Sequence, residues 1–208
     1  MQKYKKHEGE VGIKEAYSIL SNALTIAQVN NGSLIEMVEA CFTGGREYAG
    51  QTNCFMDNYL KPNIKYEKSC AYGDGNCSGI FAFDAYKGID GTIQSGVTAK
   101  ILNYSTLKLN NGILIGIYWR RSVAPSFLVD VNGAKGPNQL GTDLFYFTLE
   151  EDDASKGLIE TVVSKGLRCG MTGNSLEPAD WYRDGKYYSC LIMHNDWKIP
   201  DDYPIKKF

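Results

Sequence analysis

The residue types best suited to chemistry lie between positions 130 and 143. Asp130, Asn132, Asn138 and Asp143 carry side-chain oxygens, and Gly133, Gly136 and Gly141 are spaced among them. Hard cations such as calcium take about six to eight oxygens from a flexible loop that mixes carboxylates with backbone carbonyls. Asp130, Asn132 and Asp143 are therefore candidate ligands for a structural calcium, the one inorganic cofactor the sequence suggests. The pattern is not an EF-hand, because Gly141 falls where that loop requires a bidentate Glu. The same residues suit a turn-rich strand connection, with Asp130 and Asn132 accepting hydrogen bonds from loop amides and Pro137 fixing a bend. Sequence alone leaves both readings open.

The cysteines form a second set. Cys41, Cys54, Cys70, Cys77, Cys169 and Cys190 are even in number and fall into three sequence-local couples. No close C-x₂₋₄-C pairs are present to suggest zinc, and no C-x-x-C redox motif occurs. An oxidising compartment and three disulfides are expected. Six cysteines allow many connectivities; neighbour pairing, Cys41–Cys54, Cys70–Cys77 and Cys169–Cys190, is the expectation adopted. An exported chain with no visible signal peptide predicts that the natural protein begins ahead of Met1.

Catalytic chemistry has little to draw on. Of the two histidines, His7 lies in a polar leader, so a histidine-dependent centre would have to use His194. A Cys-His centre would need a free thiol, and no G-x-S-x-G elbow, P-loop or G-x-G-x-x-G fingerprint occurs. Asp57, Asp84, Asp90 and Glu160 are scattered. No catalytic residue is assigned and no organic cofactor is expected. The 14 Tyr, 8 Phe and 3 Trp are a heavy aromatic load. Tyr118, Trp119, Phe145 and Phe147 read as core, whereas Trp181, Tyr182, Tyr187 and Tyr188 could instead form a ligand-binding surface.

The elements that would position these residues fall in two blocks. Residues 10–30 carry Ile13, Ala16, Tyr17, Leu20, Ala23, Leu24 and Ala27 at helical spacing, and Asn30-Asn31-Gly32 stops the helix. Ser33 with Glu36 forms a capping-box signature for a second helix to about Phe42. A third helix is predicted over 52–60, ended by Lys61-Pro62. Strands follow at 107–109, 113–119, 127–131 and 144–149, the first two joined by an Asn-Gly turn. Residues 158–167 read as a short helix, and 169–190 as an irregular, disulfide-closed loop. Helices first and strands afterwards argue for α+β with an antiparallel meander.

Composition excludes some classes. With 22 basic and 24 acidic residues the net charge is −2, so a general nucleic-acid binder is not expected. The longest strongly apolar run, 112–119, is far short of the roughly 20 residues that cross a bilayer.

Four stretches resemble bacterial type IV pilins and type II secretion pseudopilins, proteins with a prepilin-type processing site. They are residues 13–23 (IKEAYSILSNA), 58–62 (NYLKP) followed by Cys70, 129–147 (VDVNGAKGPNQLGTDLFYF) and 197–204 (WKIPDDYP). The resemblance implies a single domain, 1–208, with an N-terminal helix packed on an antiparallel sheet. Its parts would be a helical spine remnant (1–31), a helical and loop insertion (32–98), the sheet (99–149) and a disulfide-closed C-terminal region (150–208). It implies a structural subunit or tip component of a type IV pilus-like filament or type II secretion pseudopilus. The alternative is an adhesin-like minor pilin recognising glycan or protein. Partners would be other pilin subunits, with membrane contact only through an apolar helix half that precedes this chain. The location would be an inner-membrane-anchored precursor assembled into a periplasmic or cell-surface filament. Some secretion pseudopilins also bind calcium in a loop near the sheet.

Overall fold

The structure, a computed structural model, describes residues 2–44, 47–74, 87–88, 91, 104–119, 125–149, 167–168, 186–201 and 203. Helix α1 (Gln2–Asn31) starts well before the apolar stripe that predicts it and ends where expected. Its buried face is Ile13, Ala16, Leu20, Ala23, Leu24 and Ala27, the i, i+3, i+4 pattern of a helix with one side on a core. Gly32, at φ +96°, gives its amide to Gln28 O and closes the helix. No described helix is long and apolar enough to cross a membrane.

The capping box forms as the sequence predicts. The amide of Glu36 donates to Ser33 Oγ, the Glu36 carboxylate accepts from the Ser33 amide, and α2 (Leu34–Cys41) follows. The third helix differs from expectation. α3 (Tyr48–Phe55) begins earlier, at a Glu47 cap that makes no side-chain hydrogen bond and so leaves no signal in the sequence. From Met56 to Leu60 the chain widens into a π-turn that buries Met56, Tyr59 and Leu60, and a 3₁₀ turn (Lys61–Asn63) ends it.

The sheet has six strands in sequential order, every neighbour antiparallel: β1 (Tyr66–Cys70), β2 (Ser105–Leu109), β3 (Leu114–Tyr118), β4 (Ser126–Asp130), β5 (Leu144–Leu149) and β6 (Leu167–Arg168). The β2–β3 hairpin turns through Asn110, Asn111 and Gly112, the last at φ +91°. β1 is an addition to the predicted strands; it is an edge strand whose first three side chains face solvent, so it lacks an apolar pattern. Residues 167–168 form a strand rather than a helix end, because they pair with Thr148 and Leu149; residues 158–166 lie outside the described part. The predicted irregular loop also needs correction at its end, where α4 (Lys186–His194) packs on β5.

The register sets two cross-strand rows, Ile115–Val129–Phe145 and Ile117–Phe127–Phe147. Both belong to the same core as the apolar face of α1, together with Tyr188 and Ile192 of α4. The α+β class and the helix-on-antiparallel-sheet arrangement are therefore as expected. One disulfide lies wholly within the described residues: Cys41–Cys54, Cα atoms 5.6 Å apart, tying α2 to α3. Cys70 and Cys190 are each disulfide-bonded, while Cys77 and Cys169 lie outside the described part.

Candidate metal centre

The strand pairing brings the candidate ligands together. Asp130, the last residue of β4, lies opposite Leu144, the first of β5. The connection thus leaves and re-enters the sheet at one point, closed by the Val131 amide donating to Asp143 O at 2.9 Å. Between them the chain uses four left-handed residues: Gly133 (φ +62°), Gly136 (φ +59°), Asn138 (φ +53°) and Gly141 (φ +77°). At Gly133 the space is also restrictive, since a Cβ would lie 2.7 Å from Gly112 O. Glycine is required there on both counts.

Both carboxylates are in the interior, Asp130 at 1% and Asp143 at 2% exposure. Asp130 Oδ1 accepts from the amides of Asn132 (3.0 Å) and Gly133 (2.8 Å). Asp143 Oδ2 accepts from the Asn138 amide (2.9 Å) and its Oδ1 from the Gln139 amide (2.7 Å). This much is the turn chemistry expected of Asp at such positions. It does not use all the oxygens. Asp130 Oδ2, Asn132 Oδ1, Asn138 Oδ1 and Thr142 Oγ1 are all buried and have no hydrogen-bond partner in the described chain. A buried oxygen without a partner costs about 1–3 kcal/mol, so four in one loop are an unusual burden for a mere connection.

The electrostatics point the same way. Burial, and then the charge of Asp143, push the Asp130 carboxyl well above the usual aspartate range. Burial pushes Asp143 up as well, against the amides of Gln139 and Asn138 and the Asn132 side chain, which favour its charged form. Among the described residues, no Lys, Arg or His forms an ion pair with either. Without a cation the protonated form of Asp130 is favoured, whereas a bound cation would let both carboxylates ionise.

Asn132, Thr142 and Asp143 line one cleft of about 160 Å³ together with Lys135 of the loop and Lys5, Glu8 and Gly9 of α1. That is room for a cation with several waters. The unpartnered oxygens come from one carboxylate, two amides and a hydroxyl, with the Asp143 carboxylate beside them, a hard donor set that suits calcium rather than zinc. Among the described residues no three His, Cys, Asp or Glu side chains group together, so the loop is a mixed-oxygen site or none.

Asp130, Asn132 and Asp143 are thus brought together as the spacing suggests. Thr142 is a further member that sequence reasoning does not single out; only its place beside Asp143 hints at a role. The aromatic set behaves differently. Tyr188 is fully buried, its ring 5.2 Å from that of Tyr203, so it belongs to the core and not to a ligand surface. Trp181 and Tyr182 lie outside the described residues, and of Tyr187 only its place in α4 is described. His194 ends α4 and is exposed. No protein-family model, curated protein or solved structure matches the chain.

Proposed function

We propose that the protein is a non-catalytic structural subunit of a pilin-like filament, a pilus or a secretion pseudopilus, whose β4–β5 connection is held by calcium. The observation that carries the metal part is the set of four buried oxygens lacking partners around two buried carboxylates. Calcium would neutralise Asp130 and Asp143 and take oxygens from Asn132, Asn138 and Thr142, with carbonyls or waters completing the shell. Asn132 and Asn138 contribute here because their amide oxygens accept without adding charge.

The filament part is supported by the long α1, whose inner face lies on the sheet while Val11, Ile26 and Val29 face outward at 50%, 46% and 81% exposure. Those side chains would pack against neighbouring subunits. The Cys41–Cys54 bridge supports an exported protein, since disulfides persist in oxidising compartments.

The metal is tested by calorimetric titration of the chelator-treated protein with calcium. Binding that Asp130→Asn and Asp143→Asn abolish supports the site; no heat at millimolar calcium overturns it. The filament is tested by immunogold labelling of sheared surface material. Labelled fibres support the reading, and protein confined to the cytosolic fraction refutes it.

A further inference from the structure

Three segments distant in sequence meet at the candidate loop. From the C-terminal side, Tyr203, 3% exposed, donates its hydroxyl to Gly141 O at 2.7 Å. From α1, Gly9 brings its backbone so near that a Cβ there would lie 3.5 Å from Thr142 O and 3.9 Å from Ile199 Cδ1. One turn on, Gly12 lies against Val131 at the start of the loop. α1 and the C-terminal segment also hold each other: the Ile199 amide donates to Glu10 Oε1 at 2.9 Å, and the Trp197 and Tyr17 rings stand 4.9 Å apart.

The course of the C-terminal segment is a held one. After α4 the chain reverses through two successive non-glycine residues in the left-handed region, Asp196 (φ +55°) and Trp197 (φ +63°). Such conformations persist only where surrounding contacts fix them. The turn itself is closed on the end of α4, where the Trp197 amide donates to Ile192 O at 2.8 Å and Asn195 Nδ2 to Lys198 O at 2.9 Å; the residues beyond it are held by α1, by the loop and by the Tyr188 ring.

Resting on the calcium reading above, we infer that cation binding in the β4–β5 loop and docking of residues 197–201 and Tyr203 across α1 are one coupled equilibrium. The cation would hold Asp130 and Asp143 together and so fix Thr142 and the carbonyl of Gly141 beside them. That carbonyl receives Tyr203, and Thr142 O faces Gly9. Without the cation, nothing ties the two carboxyl groups to each other and the Gly141 carbonyl loses its fixed orientation. Linkage makes the effect reciprocal: whatever loosens the C-terminal segment must weaken the cation by the same factor. The loop therefore acts as a calcium-dependent clasp on both the start of α1 and the end of the chain.

Two measurements on the whole chain test this, with calcium chloride as the probe and magnesium chloride as comparator. Hydrogen exchange needs no variant: calcium should slow the amides of Ile199 and Tyr203 about tenfold or more relative to chelator, and leave the α2 amides unchanged. Titration of Tyr203→Phe and Glu10→Ala should give calcium affinities lowered about fivefold or more, within the usual range of coupling. Ser33→Ala, at the far end of α1, should bind as the wild type does. If calcium binds with wild-type affinity in both variants and Ile199 and Tyr203 exchange unchanged, the coupling is wrong and the loop site stands. If calcium does not bind at all, both fall together.

Discussion

A Cβ on Gly12 of α1 would sit 2.7 Å from the Cβ of Val131, closer than side chains ever approach. The helix therefore lies on the loop through a glycine that its own stability disfavours. Two effects oppose each other in Gly12→Ala. Helix propensity favours alanine by about 1 kcal/mol, while overpacking against a β-branched residue costs about 1–3 kcal/mol. The contact is with Val131 Cβ itself and not the tip of a flexible chain, so overpacking should win. Chemical denaturation should show Gly12→Ala destabilised by about 1 kcal/mol with an unchanged m-value. The double variant Gly12→Ala/Val131→Ala should be less damaged than the two singles together, because removing the valine methyls lets the helix keep its place.

The acid pair gives a pH signature. Asp130 and Asp143 titrate above the ordinary aspartate value of 3.8 in the folded protein. The folded state then retains protons that the unfolded chain has released. Stability of the metal-free protein is fully present below the ordinary aspartate range and is lost as pH rises through the raised values. In chelator, the melting temperature should fall over that window. Asp130→Asn should flatten the fall, since the amide removes one charge and most of the repulsion. Calcium should flatten it in the wild type by favouring the charged forms. Parallel profiles for wild type and Asp130→Asn in chelator would show that the pair carries no such cost.

The Cys41–Cys54 bridge closes a short loop, with a sequence separation of 13. Cross-links of that span contribute about 3 kcal/mol through the unfolded chain. Replacing both cysteines with serine should lower stability by about 2–4 kcal/mol, read from urea midpoints. The loss should include faster exchange of the α2 amides, since α2 is tied to α3 there.

What was legible in the sequence was what is local. The Ser33–Glu36 box and the Asn111-Gly112 turn each involve neighbours along the chain, and both form as predicted. The apolar stripe of α1 was legible because one face of a helix meets one core. β1 was not, because Tyr66, Glu67 and Lys68 face solvent on an edge strand and nothing apolar alternates. α4 was hidden for another reason. Its Tyr-Tyr-Ser-Cys run has weak helical propensity, and the helix is packed on β5, a contact that no local pattern records. At the loop, Asp130, Asn132 and Asp143 could be named from residue type. Thr142 could not, since its hydroxyl matters only once the fold has buried it beside Asp143. Gly9, Gly12 and Tyr203 reach the loop from both ends of the chain, and no local pattern records that.

Gln51 offers a last test, of a buried polar group that no sequence pattern marks out. It is 0% exposed and joins three parts of the fold. Its Oε1 accepts from the Thr43 amide (3.3 Å) and hydroxyl (3.1 Å), and its Nε2 donates to Trp119 O at 2.9 Å. The side chain thus pins α3 both to the end of α2 and to the residue after β3. Gln51→Glu keeps the shape and the acceptor towards Thr43. It loses the donor to Trp119 O and introduces a carboxylate into a fully buried site, which burial drives to the protonated form. The introduced carboxyl can donate again when protonated, whereas the ionised form cannot. The variant should therefore lie near wild type at about pH 4.5, with the gap widening as pH rises, to about 2–4 kcal/mol near pH 7. Taking the difference from wild type at each pH removes the contribution of Asp130 and Asp143, which both proteins share. Gln51→Ala, with no group to titrate, should be destabilised equally at the two pH values. A constant gap for Gln51→Glu would mean that the site admits water and that Gln51 does not bridge α3 to the sheet as described.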